Sequence, residues 1–188
     1  MEKRYINTQM RMDGESKLLS GRAIVFNSDS ADMGFIERIL PSAITEETIN
    51  NSDIVLTFNH DESNVLARSR NGQGSLAIEV NSDGVDFLTE CPDTQLGRDL
   101  TVLMQRGDID RCSFAFTIPE EEGAERWYRD GDTIRRDIMK IDRLYDLSIV
   151  TTPAYPETKA SARSLDKLNE FKALEDKYNQ LKQEIELL

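Results

Sequence analysis

The chain has 188 residues, which is long enough for one well-buried domain plus an appendage. Apolar residues make up 38% and charged residues 31%, as in soluble globular proteins, and no apolar run approaches the roughly 20 residues that span a bilayer. The net charge of −12 argues against a nucleic-acid binder, because contacts to phosphates need a basic surface.

Cysteine and histidine are too scarce for two common kinds of site. Cys91 and Cys112 give no disulfide framework, and residues 1–5 lack the apolar core of a secretory signal, so a reducing cytoplasm is the expected compartment. His60, the only histidine, and two separated cysteines do not make an ordinary zinc site. Residues 71–74 are typical of a hairpin turn, not of a phosphate-binding loop. We therefore predict neither a metal nor a cofactor.

The first half of the chain predicts short strands separated by turns. Their ranges are 3–11, 18–26, 35–40, 54–60, 65–69, 76–80 and 85–91. A short helix is expected to open at Pro41 or Ser42 and to run through Asn50. Gly21 lies inside the second strand and indicates a bulge or a close backbone approach. The fifth and sixth strands flank a turn and predict a hairpin. Short strands at this spacing are typical of a closed or nearly closed sheet.

A helix and further strands are predicted in the second half. Leucines and a methionine recur at helical spacing from Leu96 to Met104, and Gly107 follows where a helix commonly ends. A charged, exposed excursion is expected around Trp127 and Tyr128 in residues 120–132. Residues 134–150 predict the last strands, which a turn at residues 152–153 would close.

The last segment predicts an amphipathic helix over residues 164–188, distinct from a domain over residues 1–163. Its apolar residues alternate at spacings of three and four, as in a coiled-coil heptad: Phe171, Leu174, Tyr178, Leu181, Ile185 and Leu188. A helix of about 24 residues would be about 36 Å long. Because an isolated helix with such a face is marginal in water, we expect it to pack on the domain, on its own copy or on a partner.

Residues 111–116 hold the candidate nucleophile. The alternation of a strand places Cys112, Phe114 and Phe116 on one apolar face and Ser113 on the other. A serine hydroxyl attacks well only when a neighbouring base takes its proton, and imidazole is the usual base. If this chain is a serine hydrolase that uses histidine, the base must be His60.

Five segments, in this order along the chain, resemble the prohead (procapsid maturation) proteases of HK97-type tailed phages. They are residues 21–23, 40–44, 59–61, 112–116 and 144–156. The resemblance spans roughly residues 3–163; no single segment is specific, but the ordered set is.

The resemblance implies a serine endopeptidase that acts inside the phage procapsid, within the bacterial host cytoplasm. Its protein partners would be the major capsid protein and the scaffold, and it would cut the scaffold or the capsid protein's scaffolding segment and process itself. The expected fold is α+β, mainly an antiparallel β-barrel with peripheral helices like that of herpesvirus maturation proteases, plus the C-terminal helix. We also expect a homo-oligomer, such as a dimer.

The resemblance leaves the third catalytic group open. In the herpesvirus proteases a second histidine orients the first, and this chain has none, so the group would be a carboxylate or absent. Asp146 is the candidate, because it shares the polar face of residues 145–149 with Ser148. A solvated, outward-facing Asp146 is the alternative reading, and Asp61 and Asp110 are further alternatives.

The oxyanion-hole donors are not evident from the sequence, and the resemblance places them on loops near the nucleophile. Arg111 and Arg143 are candidates to assist, although surface ion pairing is the favoured explanation for each. Cys112 is a rival nucleophile, but a thiol buried on the apolar face would stay protonated and inert.

Two other functions remain open. An esterase would use the same serine and histidine, but the chain lacks the Gly-x-Ser-x-Gly turn of the common version. A non-catalytic assembly factor would use the barrel and the heptad helix only to bind capsid or scaffold.

Overall fold

The computed structural model describes residues 1–6, 10–13, 17–151 and 162–186, and within them the chain is mixed α+β with strands predominating. The strands are β1 Glu2–Ile6, β2 Arg11–Met12, β3 Leu18–Val25, β4 Ile36–Ile39, β5 Asp53–Phe58, β6 Asp61–Arg70, β7 Gln73–Gly74, β8 Ala77–Val80, β9 Gly84–Glu90, β10 Arg111–Thr117, β11 Glu125–Asp130, β12 Thr133–Ile138 and β13 Arg143–Val150. The helices are α1 Glu46–Asn50, α2 Gln95–Gln105 and α3 Ala162–Glu186. No described helix is both long and apolar enough to cross a membrane.

The described strands form three sheets. A six-stranded sheet has the order β1-β10-β13-β5-β6-β7, a four-stranded sheet has the order β2-β3-β9-β8, and a three-stranded sheet has the order β11-β12-β4. Neighbouring strands are antiparallel except for β13 with β5 and β12 with β4, which are parallel. Apolar side chains from the six- and four-stranded sheets share the main core.

The predicted closed barrel is not found among the described strands. The edges of the six-stranded sheet are β1 and β7, and these edges do not pair with each other.

The predicted hairpin over residues 65–80 is also wrong. After the turn, the strand that pairs with β6 is β7, and it does so over only two residues. The predicted partner, β8, belongs to the four-stranded sheet and pairs with β9. The sequence reveals strands and turns, but this choice of partner depends on distant residues.

The charged stretch around Trp127 is a strand, which corrects the predicted excursion. β11 pairs with β12 along its whole length, and Trp127 packs against Phe35 with ring centroids 4.8 Å apart. Cross-strand ion pairs explain its charged composition, since Arg126 Nη2 lies 2.6 Å from the Asp137 carboxylate.

Gly21 and Gly107 both have the roles that the sequence predicts. A Cβ at Gly21 would lie 2.9 Å from the Met10 side chain, so the backbone approach is close, and the register of β3 against β9 shifts just after it. Gly107 follows α2 with φ +78°, and its N–H donates to the Met104 carbonyl. The predicted helix from Pro41 is split: Pro41–Ala43 form a single 3-10 turn, and Thr45 then caps α1.

The two halves of α3 have different surroundings. Near its start, Leu168 is buried and packs with Met33, Phe35 and Ile134 against the three-stranded sheet. Further on, three of the predicted heptad residues are exposed: Leu174 by 68%, Tyr178 by 67% and Leu181 by 49%. The Ile185 side chain and Leu188 lie outside the described part. The helix therefore docks by its first turns and presents an apolar stripe beyond them.

A buried ion cluster links β1 to the three-stranded sheet. Arg136 on β12 is fully buried and lies 2.9 Å from Glu2 and 2.7 Å from Glu37, while Arg4 also pairs with both carboxylates. Burial of Glu2 opposes its ionisation, but the hydrogen bond and charge of Arg136, together with the charge of Arg4 and a hydrogen bond from Ser164, lower the pKa of Glu2 to about 2. The N-terminal strand is thus held by charge as well as by backbone pairing.

Candidate active site

His60 lies on a tight turn, two residues beyond the end of its strand. Asn59 and His60 both have φ +56° and join Phe58 of β5 directly to Asp61 of β6. Two residues at positive φ are typical of the hairpin turn that matches the twist of the flanking strands. Positive φ is uncommon for residues other than glycine, although asparagine and histidine adopt it more often than most, and residues held there cluster at functional sites.

Hydrogen bonds to the end of β13 hold this turn. The Asn59 N–H donates to the Ile149 carbonyl at 2.8 Å, and the His60 N–H donates to Ser148 Oγ at 2.8 Å. Asn59 Oδ1 accepts from the Thr151 N–H at 3.1 Å. Ser148 is fully buried, and its part in placing His60 was not evident from the sequence, although its shared face with Asp146 was a signal.

The other two candidate residues lie on neighbouring strands of the same sheet. Ser113 on β10 is in register with Ser148 on β13, and Asp146 on β13 is in register with Ala115 on β10. Residues in register point to the same face of a sheet, so Ser113 and Asp146 share one face. β5, the next strand, ends at the His60 turn above the same face.

The His60 ring is within hydrogen-bonding distance of both Ser113 and Asp146. His60 Nε2 lies 2.6 Å from Ser113 Oγ, and His60 Nδ1 lies 2.8 and 3.0 Å from the two carboxylate oxygens of Asp146. A carboxylate at Nδ1 fixes the tautomer that leaves Nε2 free to accept the serine proton. The arrangement has the connectivity of a serine–histidine–aspartate triad.

The site is almost closed to solvent. Ser113 has no exposed surface, and the exposed fractions of the His60 and Asp146 side chains are 7% and 17%. Ser113 Oγ is also 2.8 Å from the carbonyl oxygen of Arg4 on β1. The hydroxyl has one proton, so it donates either to His60 Nε2 or to this carbonyl, but not to both.

Cys112 does not compete with Ser113 in this geometry. Its side chain lies in the main core with Phe114 and Phe116, as the strand alternation predicts. Burial raises the pKa of the Cys112 thiol to about 12, which keeps it protonated at neutral pH. A protonated, enclosed thiol is a poor nucleophile.

The rival carboxylates and Arg111 have other partners, and Arg143 is exposed. Asp61 accepts from the Ser63 N–H at 2.8 Å and from Asn64 at 3.0 Å, within its own turn. Asp110 is exposed and lies 3.6 Å from Arg111, as surface ion pairing predicts for that arginine. Arg143 is exposed at the start of β13, in register with Thr117. Among the described residues, no group of three or more histidine, cysteine or acidic side chains is arranged to hold a metal.

Comparison with known proteins assigns the chain to a family. No curated protein and no solved structure matches it. A family model, caudovirus prohead serine protease, matches residues 5–172, which is most of the chain and includes the candidate triad. The chain therefore belongs to the caudovirus prohead serine proteases, which act in capsid maturation within the phage procapsid.

Proposed function

We propose that this chain is a prohead maturation endopeptidase in which Ser113 is the nucleophile, His60 the general base and Asp146 the group that orients His60. The observation that carries the proposal is the chain of contacts from the Asp146 carboxylate through both imidazole nitrogens to Ser113 Oγ. The family supports serine peptidase chemistry, and the geometry supplies residues for it.

The first half of the reaction forms an acyl-enzyme. Ser113 Oγ attacks the carbonyl carbon of the scissile peptide bond while its proton moves to His60 Nε2. The carboxylate of Asp146 stabilises the resulting imidazolium through Nδ1. Collapse of the tetrahedral intermediate breaks the carbon–nitrogen bond, and His60 gives the proton to the leaving amine. Well-placed acid–base transfer of this kind contributes about 10²–10⁴-fold to the rate.

The second half hydrolyses the ester on Ser113. Water takes the place of the departed amine and gives a proton to His60 Nε2 as it attacks the acyl carbon. His60 then returns the proton to Ser113 Oγ, and a carboxylic acid leaves. Both halves need His60 to remain in one tautomer and one orientation, which the bonds of Ser148 and Asp146 to its turn and ring provide.

The proposed substrates are the scaffold or the scaffolding segment of the major capsid protein, together with the protease itself. The proposed place of action is the procapsid interior in the host cytoplasm, with a homo-oligomer as the proposed form. Kinship with the herpesvirus maturation proteases is part of this proposal, whereas the closed barrel expected with it is not found among the described strands.

A non-catalytic assembly factor is the second candidate. The observation in its favour is the exposed apolar stripe of α3, which suits binding to another helix. An esterase has no comparable support, because the family is one of peptidases.

Co-expression with the major capsid protein separates these functions. Wild-type chain, Ser113→Ala and His60→Ala are each expressed with the capsid protein, and the products are measured by mass spectrometry. Ser82→Ala, on an exposed turn of the four-stranded sheet, is the matched control. We expect capsid-protein cleavage in the wild type and in Ser82→Ala, and its loss in the other two. Unchanged cleavage in Ser113→Ala would refute the proposed nucleophile and leave the assembly factor.

A further inference from the structure

The nucleophile has a backbone carbonyl in front of it that comes from β1. Ser113 has no exposed surface, and its Oγ lies 2.8 Å from the Arg4 carbonyl oxygen. A substrate reacts only when its scissile carbonyl is held about 3 Å from the attacking atom. The carbonyl group of Arg4 therefore stands where the substrate's carbonyl has to stand.

β1 has the geometry of a bound peptide. It is an edge strand of the six-stranded sheet, is extended over Glu2–Ile6, and pairs antiparallel with β10 with Tyr5 opposite Ser113. Extended peptides commonly bind proteins by adding a strand to a sheet edge, where main-chain hydrogen bonds give affinity and side-chain pockets give specificity. Without β1, the edge would be β10, which carries Ser113.

The side chains of Arg4 and Glu2 on β1 occupy a charged pocket. Arg4 is 5% exposed, binds Glu37 through Nε and through Nη2 at 2.8 Å, and has its guanidinium carbon 5.6 Å from the centre of the Phe116 ring. Glu2, two residues earlier on the same side of the strand, accepts from Arg136 at 2.9 and 3.0 Å. The pocket thus binds a basic side chain at Arg4, the residue whose carbonyl faces Ser113, and an acidic side chain at Glu2, two residues earlier.

The pocket keeps internal pairs when β1 is removed. Arg136 lies 2.7 Å from Glu37 and 2.7 Å from Glu125, so neither Glu37 nor Arg136 is left without a partner. Glu125 also lies 3.9 Å from Arg163, so the remaining charges balance, but Glu37 has lost the guanidinium that bound it through Nε and Nη2. The vacated place beside the Glu37 carboxylate therefore favours a cation.

From this arrangement we propose that β1 occupies the substrate-binding edge, and that the substrate is an extended peptide with a basic residue in the position of Arg4. The proposal rests on the catalytic role proposed for Ser113. In this state β1 blocks access to the nucleophile, and the Arg4 carbonyl competes with His60 for the serine proton. Displacement of β1 exposes the β10 edge. The Ser113 hydroxyl, no longer bonded to the Arg4 carbonyl, then donates its hydrogen bond to His60 Nε2.

A fluorophosphonate probe tests access to Ser113 without assuming any peptide sequence. The probe phosphorylates an activated serine, fluoride leaves, and the labelled residue is located by mass spectrometry, with Ser113→Ala as the blank. The full chain is compared with Arg4→Ala, which removes the side chain that anchors β1. Lys3→Ala is the matched control, because Lys3 is on the same strand but its side chain is outside the ion cluster.

We expect Arg4→Ala to be labelled about tenfold faster or more than the full chain, and Lys3→Ala to be labelled at the rate of the full chain. A synthetic peptide of residues 1–8 should then slow the labelling of Ser113 in the Arg4→Ala variant. The same peptide carrying Arg4→Leu should slow this labelling far less. If thermal melting shows that Arg4→Ala is unfolded, Arg4→Gln, which keeps hydrogen-bond donors for Glu37 but removes the charge, replaces it in the comparison and should also be labelled faster than the full chain.

The outcomes distinguish this inference from the catalytic proposal. Equal labelling of Ser113 in the full chain and in the Arg4 variant overturns the role of β1 and leaves the nucleophile standing. Equal protection by the two peptides overturns the preference for a basic residue. Absence of labelling at Ser113 in every folded variant overturns both proposals.

Discussion

Replacement of Asp146 by asparagine is the sharpest test of the proposed triad. The substitution keeps the size of the side chain but removes the charge that faces His60 Nδ1 at 2.8 and 3.0 Å. An amide NH₂ in that place also favours the wrong imidazole tautomer, in which Nε2 carries the proton and no longer accepts one from Ser113. We expect Asp146→Asn to fold normally and to cleave slowly.

The size of the loss follows from the distance between the charges. In the transition state His60 is an imidazolium about 3 Å from the carboxylate, and two such charges interact by about 5 kcal/mol at an effective dielectric constant of about 20. Asp146 is 17% exposed, so solvent screens part of this energy. A remainder of about 4 kcal/mol corresponds to a fall in kcat of about 10³-fold.

The assay is single-turnover cleavage of purified capsid precursor, with thermal melting as the check on folding. Asp110→Asn makes the same chemical change on an exposed carboxylate and should retain full activity. If Asp146→Asn keeps more than about a tenth of the wild-type rate while folded, the assignment of Asp146 as the orienting group is wrong.

Three further predictions concern neighbouring groups. Ser148→Ala removes the acceptor of the His60 N–H, so we expect the unfolding free energy to fall by about 1–3 kcal/mol and kcat to fall as well. Ser148→Thr, which keeps a hydroxyl, should restore activity, and unchanged urea unfolding and kinetics in Ser148→Ala would contradict this prediction. The Cys112→Ala variant should keep full cleavage activity, and iodoacetamide should not inactivate the folded wild type, because burial raises the pKa of the Cys112 thiol to about 12. Inactivation by iodoacetamide through Cys112 would contradict the view that this thiol is inert. Glu2 has a pKa of about 2 when folded and 4.5 as its ordinary value, so its stabilisation is complete above pH 4.5 and is lost as the pH falls towards 2. Glu2→Gln should remove about 3 kcal/mol of this pH dependence from the unfolding free energy measured between neutral and acid pH. If the variant and the wild type lose stability identically as the pH falls, the pairing of Glu2 with Arg136 is not supported.

Local pattern was sufficient for most elements of the fold. The alternation of residues 111–116 predicts β10, and the leucine spacing with Gly107 predicts α2, because these signals depend on near neighbours. The stretch around Trp127 was missed because its charges pair across strands, and an exposed loop has the same composition. The strand orders of the sheets were not predictable, since pairings such as β1 with β10, β3 with β9 and β13 with β5 join segments far apart in sequence.

The candidate site divides in the same way. Scarcity singles out His60, the resemblance to prohead proteases points to Ser113, and face alternation makes Asp146 a candidate, before any pairing is known. The anchoring of the His60 turn by Ser148 and the position of β1 over Ser113 depend on register between segments 88 and 109 residues apart. No periodicity within either segment carries that information.

The strand ladder that holds the triad also sets how the protein should fail on heating. Nucleophile and acid stand on adjacent strands, and the base stands on a two-residue turn joined to the third strand of the ladder. A slip of one residue in either pairing turns a side chain to the opposite face. Loss of cleavage on heating should therefore coincide with the cooperative melting of β10, β13 and β5, and should not precede it as it does in enzymes whose active residues sit on loose loops.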